Sequence, residues 1–162
     1  MTTVLLSLGS NLEPLHYLKA AVAVLRERFG ALRVSPAYRT AAVGFDGPDF
    51  LNAAVQLQTT LPLQELDAWL HAVEDAHGRD RSGPRHGDRT LDIDVVYYGD
   101  AVVEGPGHLR IPRPELKHAF VLKPLADIAP GFVDPVTGRD LATMWQAHPQ
   151  YHDHFDAVAL ED

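Results

Sequence analysis

Two aspartates one residue apart, Asp92 and Asp94, lie in the run Thr90-Leu91-Asp92-Ile93-Asp94-Val95-Val96. On an extended strand successive side chains alternate faces, so both carboxylates project to one side while Leu91, Ile93 and Val95 turn to the other, into a core. Carboxylates ~7 Å apart along a strand repel each other unless a cation lies between them. Hard oxygen ligands suit Mg²⁺, which takes one or two carboxylates and fills its octahedron with substrate phosphates and water. A pair of such ions shared with a polyphosphate would polarise the attacked phosphorus and neutralise developing charge. Taken alone, Asp-x-Asp also fits a strand with a solvent-facing side. Arg79, Arg81, Arg85 and Arg89 add weight: four of the 14 basic residues stand just upstream. Guanidinium forks match phosphate oxygens, and a pair of surface carboxylates would not need them. The bland reading of the arginine segment is a solvated turn paired with Glu74, Asp75 and Asp80.

The composition narrows the partners. Net charge is −8, from 22 acidic against 14 basic residues, the reverse of a duplex-binding protein. An acidic chain with one arginine-dense segment suits a small anionic ligand, with no nucleic acid as partner. Apolar residues make up 46% and charged residues 22% of 162, ordinary for one soluble globular domain, here taken as residues 1–162. There is no cysteine, which excludes disulfides and thiolate metal sites and suits a reducing compartment. Met1-Thr2-Thr3-Val4-Leu5-Leu6 has no basic leader region and reads as a strand. No window nears the roughly 20 apolar residues of a bilayer span. The expectation is a cytoplasmic monomer with no membrane partner.

The elements that must position the aspartates follow from periodicity. Val4–Leu8 reads as a strand ending in the turn Gly9-Ser10-Asn11, which lacks the Gly-x4-Gly-Lys-Ser/Thr pattern of a P-loop. Pro14 opens a helix with Leu15, Leu18, Ala21, Val22, Leu25 and Phe29 at helical spacing, stopped by Gly30. Ala31–Tyr38 and Phe50–Thr59 read as strands around a Gly/Pro-rich loop at 40–49. Pro62 starts a second helix through Leu63, Leu66, Leu70 and Val73. The arginine loop spans Gly78–Asp88 and is followed by a strand at Thr90–Tyr98, with short strands at Val102-Val103 and Leu109–Ile111. Between 114 and 126 the pattern suggests a turn, a short strand at Ala119–Leu122 and a helical turn. Leu141–Ala147 is a last helix, and the tail from Pro149 reads as poorly ordered. The order β-α-β-β-α-β plus a C-terminal extension is that of a ferredoxin-like α+β sandwich, with helices on one face of an antiparallel sheet.

Several segments together resemble the 6-hydroxymethyl-7,8-dihydropterin pyrophosphokinase family. They are Gly9-Ser10-Asn11, Tyr38-Arg39-Thr40, Asp49-Phe50-Leu51-Asn52-Ala53-Ala54, Glu74-x3-Gly78-Arg79 and Arg89-Thr90-Leu91-Asp92-Ile93-Asp94, in order from residue 3 to about residue 130. The resemblance implies the same ferredoxin-like fold and a folate-pathway reaction. In that reaction the pterin hydroxymethyl oxygen attacks the β-phosphorus of Mg–ATP, giving the pterin pyrophosphate and AMP. It implies that Asp92 and Asp94 bind two Mg²⁺ ions, with Asp92 also near the pterin. Arg79 and Arg89 would contact the triphosphate, and Arg81 and Arg85 would lie in a loop closing over ATP. His71, Glu74, Arg110, Ile111, Arg113, Lys117 and His118 would line the nucleotide. The pterin would be held between Phe50 and Phe120, with Asn52 and the backbone of Thr40, Ala42 and Val43 reading its edge. A flat heteroaromatic ring gains stacking and apolar burial there, and an amide side chain matches its amide-like edge. Plain core packing is the alternative for both phenylalanines.

The chain also departs from the family pattern. His86 and Asp88 stand where the family usually has tryptophan and proline. Arg113 replaces a common histidine and His118 a common arginine, in a segment about one residue shorter. Arg110, Arg113 or Lys117 would then supply the missing charge, as would His118 if protonated. A second reading is therefore a relative that binds pterin or ATP with little or no turnover. An RNA-binding sandwich is disfavoured by the acidic charge, and His148, His152 and His154 in the tail read as incidental rather than as a metal site.

Overall fold

The computed structural model describes residues 1–41, 46–78, 90–105 and 109–161. β1 (Thr2–Ser10) runs through the middle of the sheet. α1 (Pro14–Phe29) begins with proline at its first turn, where a missing N–H costs nothing. It ends at Gly30, whose φ of 80° suits glycine and whose N–H bonds the Arg26 carbonyl at 2.8 Å. β4 (Phe50–Thr59) pairs antiparallel with β1 along its whole length, from Thr2↔Thr59 to Ser10↔Leu51. α2 (Leu63–Ala76) returns to β5 (Asp92–Tyr98), which flanks β1 on the other side. β2 (Arg33–Val34) and β3 (Ala37–Thr40) both pair with β4. The strand order β5-β1-β4-β3, with two helical crossovers, is the expected ferredoxin-like arrangement.

Alternation along the strands builds two separate cores. Val4, Leu6 and Leu8 of β1, Ala53, Val55 and Leu57 of β4, and Ile93 and Val95 of β5 face α1 and α2. Those helices bury Leu18, Ala21, Val22 and Leu25, and Leu66, Leu70 and Val73, against them. Each such leucine contributes roughly 2 kcal/mol of apolar burial. Leu15, expected on the same stripe, is exposed. On the opposite face Leu5, Ala54, Val96 and Tyr97 pack under α3 (Ala119–Ile128) and α4 (Leu141–Gln146). Helices thus cover both faces of the sheet, not one, and the C-terminal extension supplies the second layer.

Three further expectations are corrected. The strand read through Ala31–Tyr38 is broken at Ser35-Pro36, because proline has no N–H for the ladder. The Ser35 hydroxyl takes over as acceptor for the Ala54 N–H at 2.8 Å. Ala119–Leu122 is the first turn of α3 rather than a strand; a four-residue apolar run carries no period that separates the two. A 3-10 turn, Pro114–Lys117, precedes it. The tail from Pro149 is tied down through residue 161. β8 (Ala157–Val158) pairs with Ala37 and Tyr38, covering the β3 edge. Leu160 is buried in the first core, and Glu161 forms an ion pair with Arg26. β6 (Val103–Glu104) and β7 (Arg110–Ile111) form a separate two-stranded ribbon. Among the described residues no helix is long and apolar enough to cross a membrane.

Candidate active site

The second face of the sheet is apolar where α3 and α4 lie on it and polar beyond them. Register sets two cross-strand rows there. Asp92, Gly9, Asn52 and Tyr38 lie side by side on β5, β1, β4 and β3, and Asp94, Ser7 and Ala54 form the next row. Ile93 and Val95 are 2% exposed in the first core, so Asp92 and Asp94 necessarily share the opposite face. Both expected carboxylates are therefore on one side, as the sequence implied.

A local irregularity bounds the pair. The β1–β5 register shifts between Leu5 and Leu6, so Val96 is an extra residue, a bulge of the kind found beside functional sites. The Val96 carbonyl accepts the Arg113 N–H at 3.3 Å. The Arg113 guanidinium stands 3.8 Å from Asp94 Oδ1 and 3.3 Å from Glu115 Oε2. Burial and the Asp92 charge push Asp94 well above the ordinary carboxylate range, Arg113 pulls the other way, and Glu74 and Glu115 add to the rise. About a third of the Asp94 side chain (32%) stays open to solvent, so a ligand can reach it.

Glu74 is only 2% exposed, and its Oε2 accepts the Ile93 N–H at 2.7 Å, clamping α2 to the strand between the two aspartates. It continues the stripe Leu66-Leu70-Glu74 at four-residue spacing, the one carboxylate on an otherwise apolar face. Its main-chain bond gives it a structural task besides the expected nucleotide contact. His71 lies on the same helix, 3.8 Å from Asp67.

Among the residues expected to hold the pterin, Asn52 is 6% exposed and donates from Nδ2 to Thr40 Oγ1 at 2.8 Å. The Thr40 hydroxyl thus holds the amide that was expected to read the ring edge. A Cβ at Gly9 would sit 3.0 Å from Asn52 Oδ1 and 3.9 Å from Phe50 Cδ1. Glycine at this position keeps the floor between Asp92 and Asn52 open, a role the Gly9-Ser10-Asn11 turn did not disclose in the sequence. Phe50 is half-buried on the same face as Asn52. Phe120 is half-buried at the start of α3, with the His118 ring stacked on it at 4.8 Å and 14°.

The remaining nucleotide candidates divide. Burial, followed by the nearby Lys117 charge, lowers His118 from its usual value, with Glu115 opposing and His148 adding to the drop. That direction favours the neutral imidazole. Of the described basic residues expected here, Arg113 is the one placed next to Asp94. Lys117 and Arg110 are exposed, while the Ile111 side chain is 1% exposed in the first core and leaves only its backbone for a ligand. Glu115, which sequence reasoning passed over, sits opposite Arg113 two residues on. Arg79, Arg81, Arg85 and Arg89, His86 and Asp88, and Ala42 and Val43 lie outside the described residues.

The donor set suits Mg²⁺. Among the described residues no three His, Cys, Asp or Glu side chains form a ready-made cage, and Mg²⁺ uses few protein carboxylates with phosphates and water as the rest. The mutual repulsion at Asp92 and Asp94 is what a bound dication would relieve.

Fold and site together define a class: an α+β sandwich whose antiparallel sheet presents two carboxylates, Asp92 and Asp94, on one face. Residues 5–130 match the family described as 7,8-dihydro-6-hydroxymethylpterin-pyrophosphokinase. The chain is 41% identical over 138 residues to a 2-amino-4-hydroxy-6-hydroxymethyldihydropteridine pyrophosphokinase of Synechocystis sp., covering 83% of this chain and 70% of that protein. It is 41% identical over 153 residues to the enzyme of the same name from Pseudomonas aeruginosa, covering 90% and 91%. The Plasmodium falciparum HPPK-DHPS structure with pteroate superposes with a TM-score of 0.70 at 13% identity, over 90% of this chain. This chain spans 42% of that longer one. The protein belongs to the 7,8-dihydro-6-hydroxymethylpterin-pyrophosphokinase family.

Proposed function

We propose that the chain transfers the β,γ-pyrophosphoryl group of ATP to the hydroxymethyl oxygen of 6-hydroxymethyl-7,8-dihydropterin, in folate biosynthesis. The pterin oxygen bonds to the β-phosphorus as the bond from that phosphorus to the α-bridging oxygen breaks. AMP departs and the hydroxyl proton is lost. Family membership supports this reading, and one observation in the chain carries it: the shared face of Asp92 and Asp94 beside the Gly9–Asn52 floor.

In this reading Asp92 and Asp94 hold two Mg²⁺ ions, which supply electrophilic activation and charge neutralisation to the phosphates. Phe50, Asn52, Thr40 and Phe120 hold the pterin, with Ala42 and Val43 completing its edge. Arg79, Arg81, Arg85 and Arg89 grip the triphosphate with Arg113 and Lys117, and His71, Glu74, Arg110, Ile111 and His118 border the nucleotide. Residues 1–162 act as a single catalytic domain, a monomer in the cytoplasm.

The test is incubation with 6-hydroxymethyl-7,8-dihydropterin, ATP and Mg²⁺, with AMP followed by chromatography. One AMP per pterin pyrophosphate is expected, and none without Mg²⁺. Production of ADP, or no nucleotide product while both ligands bind, would overturn the assignment.

A further inference from the structure

The segment between Asp94 and Phe120 has an anchor outside the site. The 3-10 turn Pro114–Lys117 ends where α3 begins, and the His118 carbonyl already accepts from Val121 and Leu122 at 3.1 Å each. Helix-terminal carbonyls lack partners within their own helix, and the Lys117 carbonyl stands at this junction. His148 Nε2 meets it at 2.8 Å. The other ring nitrogen, Nδ1, accepts the Gln150 N–H at 3.0 Å. An acceptor role at Nδ1 fixes the neutral tautomer with its hydrogen on Nε2, so Nε2–H donates to Lys117.

His148 is itself rigidly placed. Its N–H bonds the Trp145 carbonyl at 3.0 Å at the end of α4, and its carbonyl accepts the Tyr151 N–H at 3.0 Å. Its ring lies against the buried Trp145 at 5.3 Å. On the far side of the Lys117 carbonyl, the strap carries Arg113 and Glu115 beside Asp94, and the stacked His118 and Phe120 rings.

We propose that His148 is a positioning residue: it holds the Arg113–Phe120 strap in register with the aspartate strand through the Lys117 carbonyl. The inference rests on the reading that this strap borders nucleotide and pterin. His148 touches neither ligand. It acts by fixing the backbone from which Lys117, His118 and Phe120 project.

Three proteins test it: wild type, His148→Ala and His148→Gln, the last able to donate from its amide to the same carbonyl. Losing one such bond is expected to raise KM for ATP roughly threefold to tenfold in His148→Ala, with kcat within about twofold. His148→Gln should return KM to near the wild-type value. Melting temperatures of the two variants should fall by no more than about 4 °C, the scale of one such bond in a chain of this size. Unchanged KM in His148→Ala, or equal impairment in His148→Gln, would overturn the proposal. Calorimetric binding of a nonhydrolysable ATP analogue with Mg²⁺ to the same proteins gives the answer without turnover. Failure of the function reading, with no AMP from wild type, is thereby distinguished from failure of this one. Side-chain ¹⁵N spectra of the wild type should show His148 protonated at Nε2 and bare at Nδ1; the opposite tautomer would contradict the geometry.

Discussion

The two faces of one sheet divide the work of this molecule. Toward α1 and α2, Val4, Leu6 and Leu8 of β1, Leu51, Ala53, Val55 and Leu57 of β4, and Ile93 and Val95 of β5 are apolar, and that face is mainly packing. Toward α3 and α4, the same strands present Leu5, Val96 and Tyr97 at one end and Gly9, Asn52 and Asp92 at the other, with the row Asp94, Ser7 and Ala54 between them. A one-residue slip of β5 would exchange its two sets of side chains, so the first core fixes where the carboxylates point. Stability and chemistry are thus coupled through register, while their residues stay separable.

Substitutions on each face sharpen that division. Asp94→Ala should lower turnover by on the order of a thousandfold, the scale seen when one strong electrostatic stabiliser is lost. Near-wild-type AMP release would remove Asp94 from the centre. Asp94→Asn should fail equally in turnover yet melt no lower than wild type without metal. The sign follows from linkage: an acid whose folded-state value is raised above its unfolded one destabilises the fold once pH passes the ordinary carboxylate range. Asparagine removes that charge.

On the packing face, Leu70→Ala should cost about 3 kcal/mol in denaturant unfolding, the cavity and transfer cost of a fully buried leucine. Its KM values for ATP and pterin, measured on folded protein, should stay at wild type. A selective loss of pterin binding there would break the division. A smaller effect is expected at Phe50→Ala, with pterin affinity reduced about tenfold and ATP affinity little changed, from one lost ring contact. Equal effects on both ligands would make Phe50 a packing residue.

Much of this was legible in the sequence because the signals were local. Phe50–Thr59 is a strand from end to end, α1 starts at Pro14 and α2 directly after Pro62, and both show their stripes. The common face of Asp92 and Asp94 follows from the two-residue period alone. Pairing information was not local. Nothing in Ala119–Leu122 distinguishes a strand from the helix that Leu5 and Ala54 receive. The polar tail hides an edge strand of two residues, fixed by its bonds to β3 and by Leu160. The contacts of Arg113 with Asp94 and Glu115 likewise depend on the β5 bulge and on the turn after β7.

In the proposed reaction Asp92 and Asp94 together grip the cations that carry the nucleotide. That grip is tested most directly by a crystal structure with Mg²⁺, a nonhydrolysable ATP analogue and the pterin. Cation density is expected at about 2.1 Å from both carboxylates, in contact with the nucleotide phosphates. Ordered nucleotide with both carboxylates turned away from every cation would contradict it.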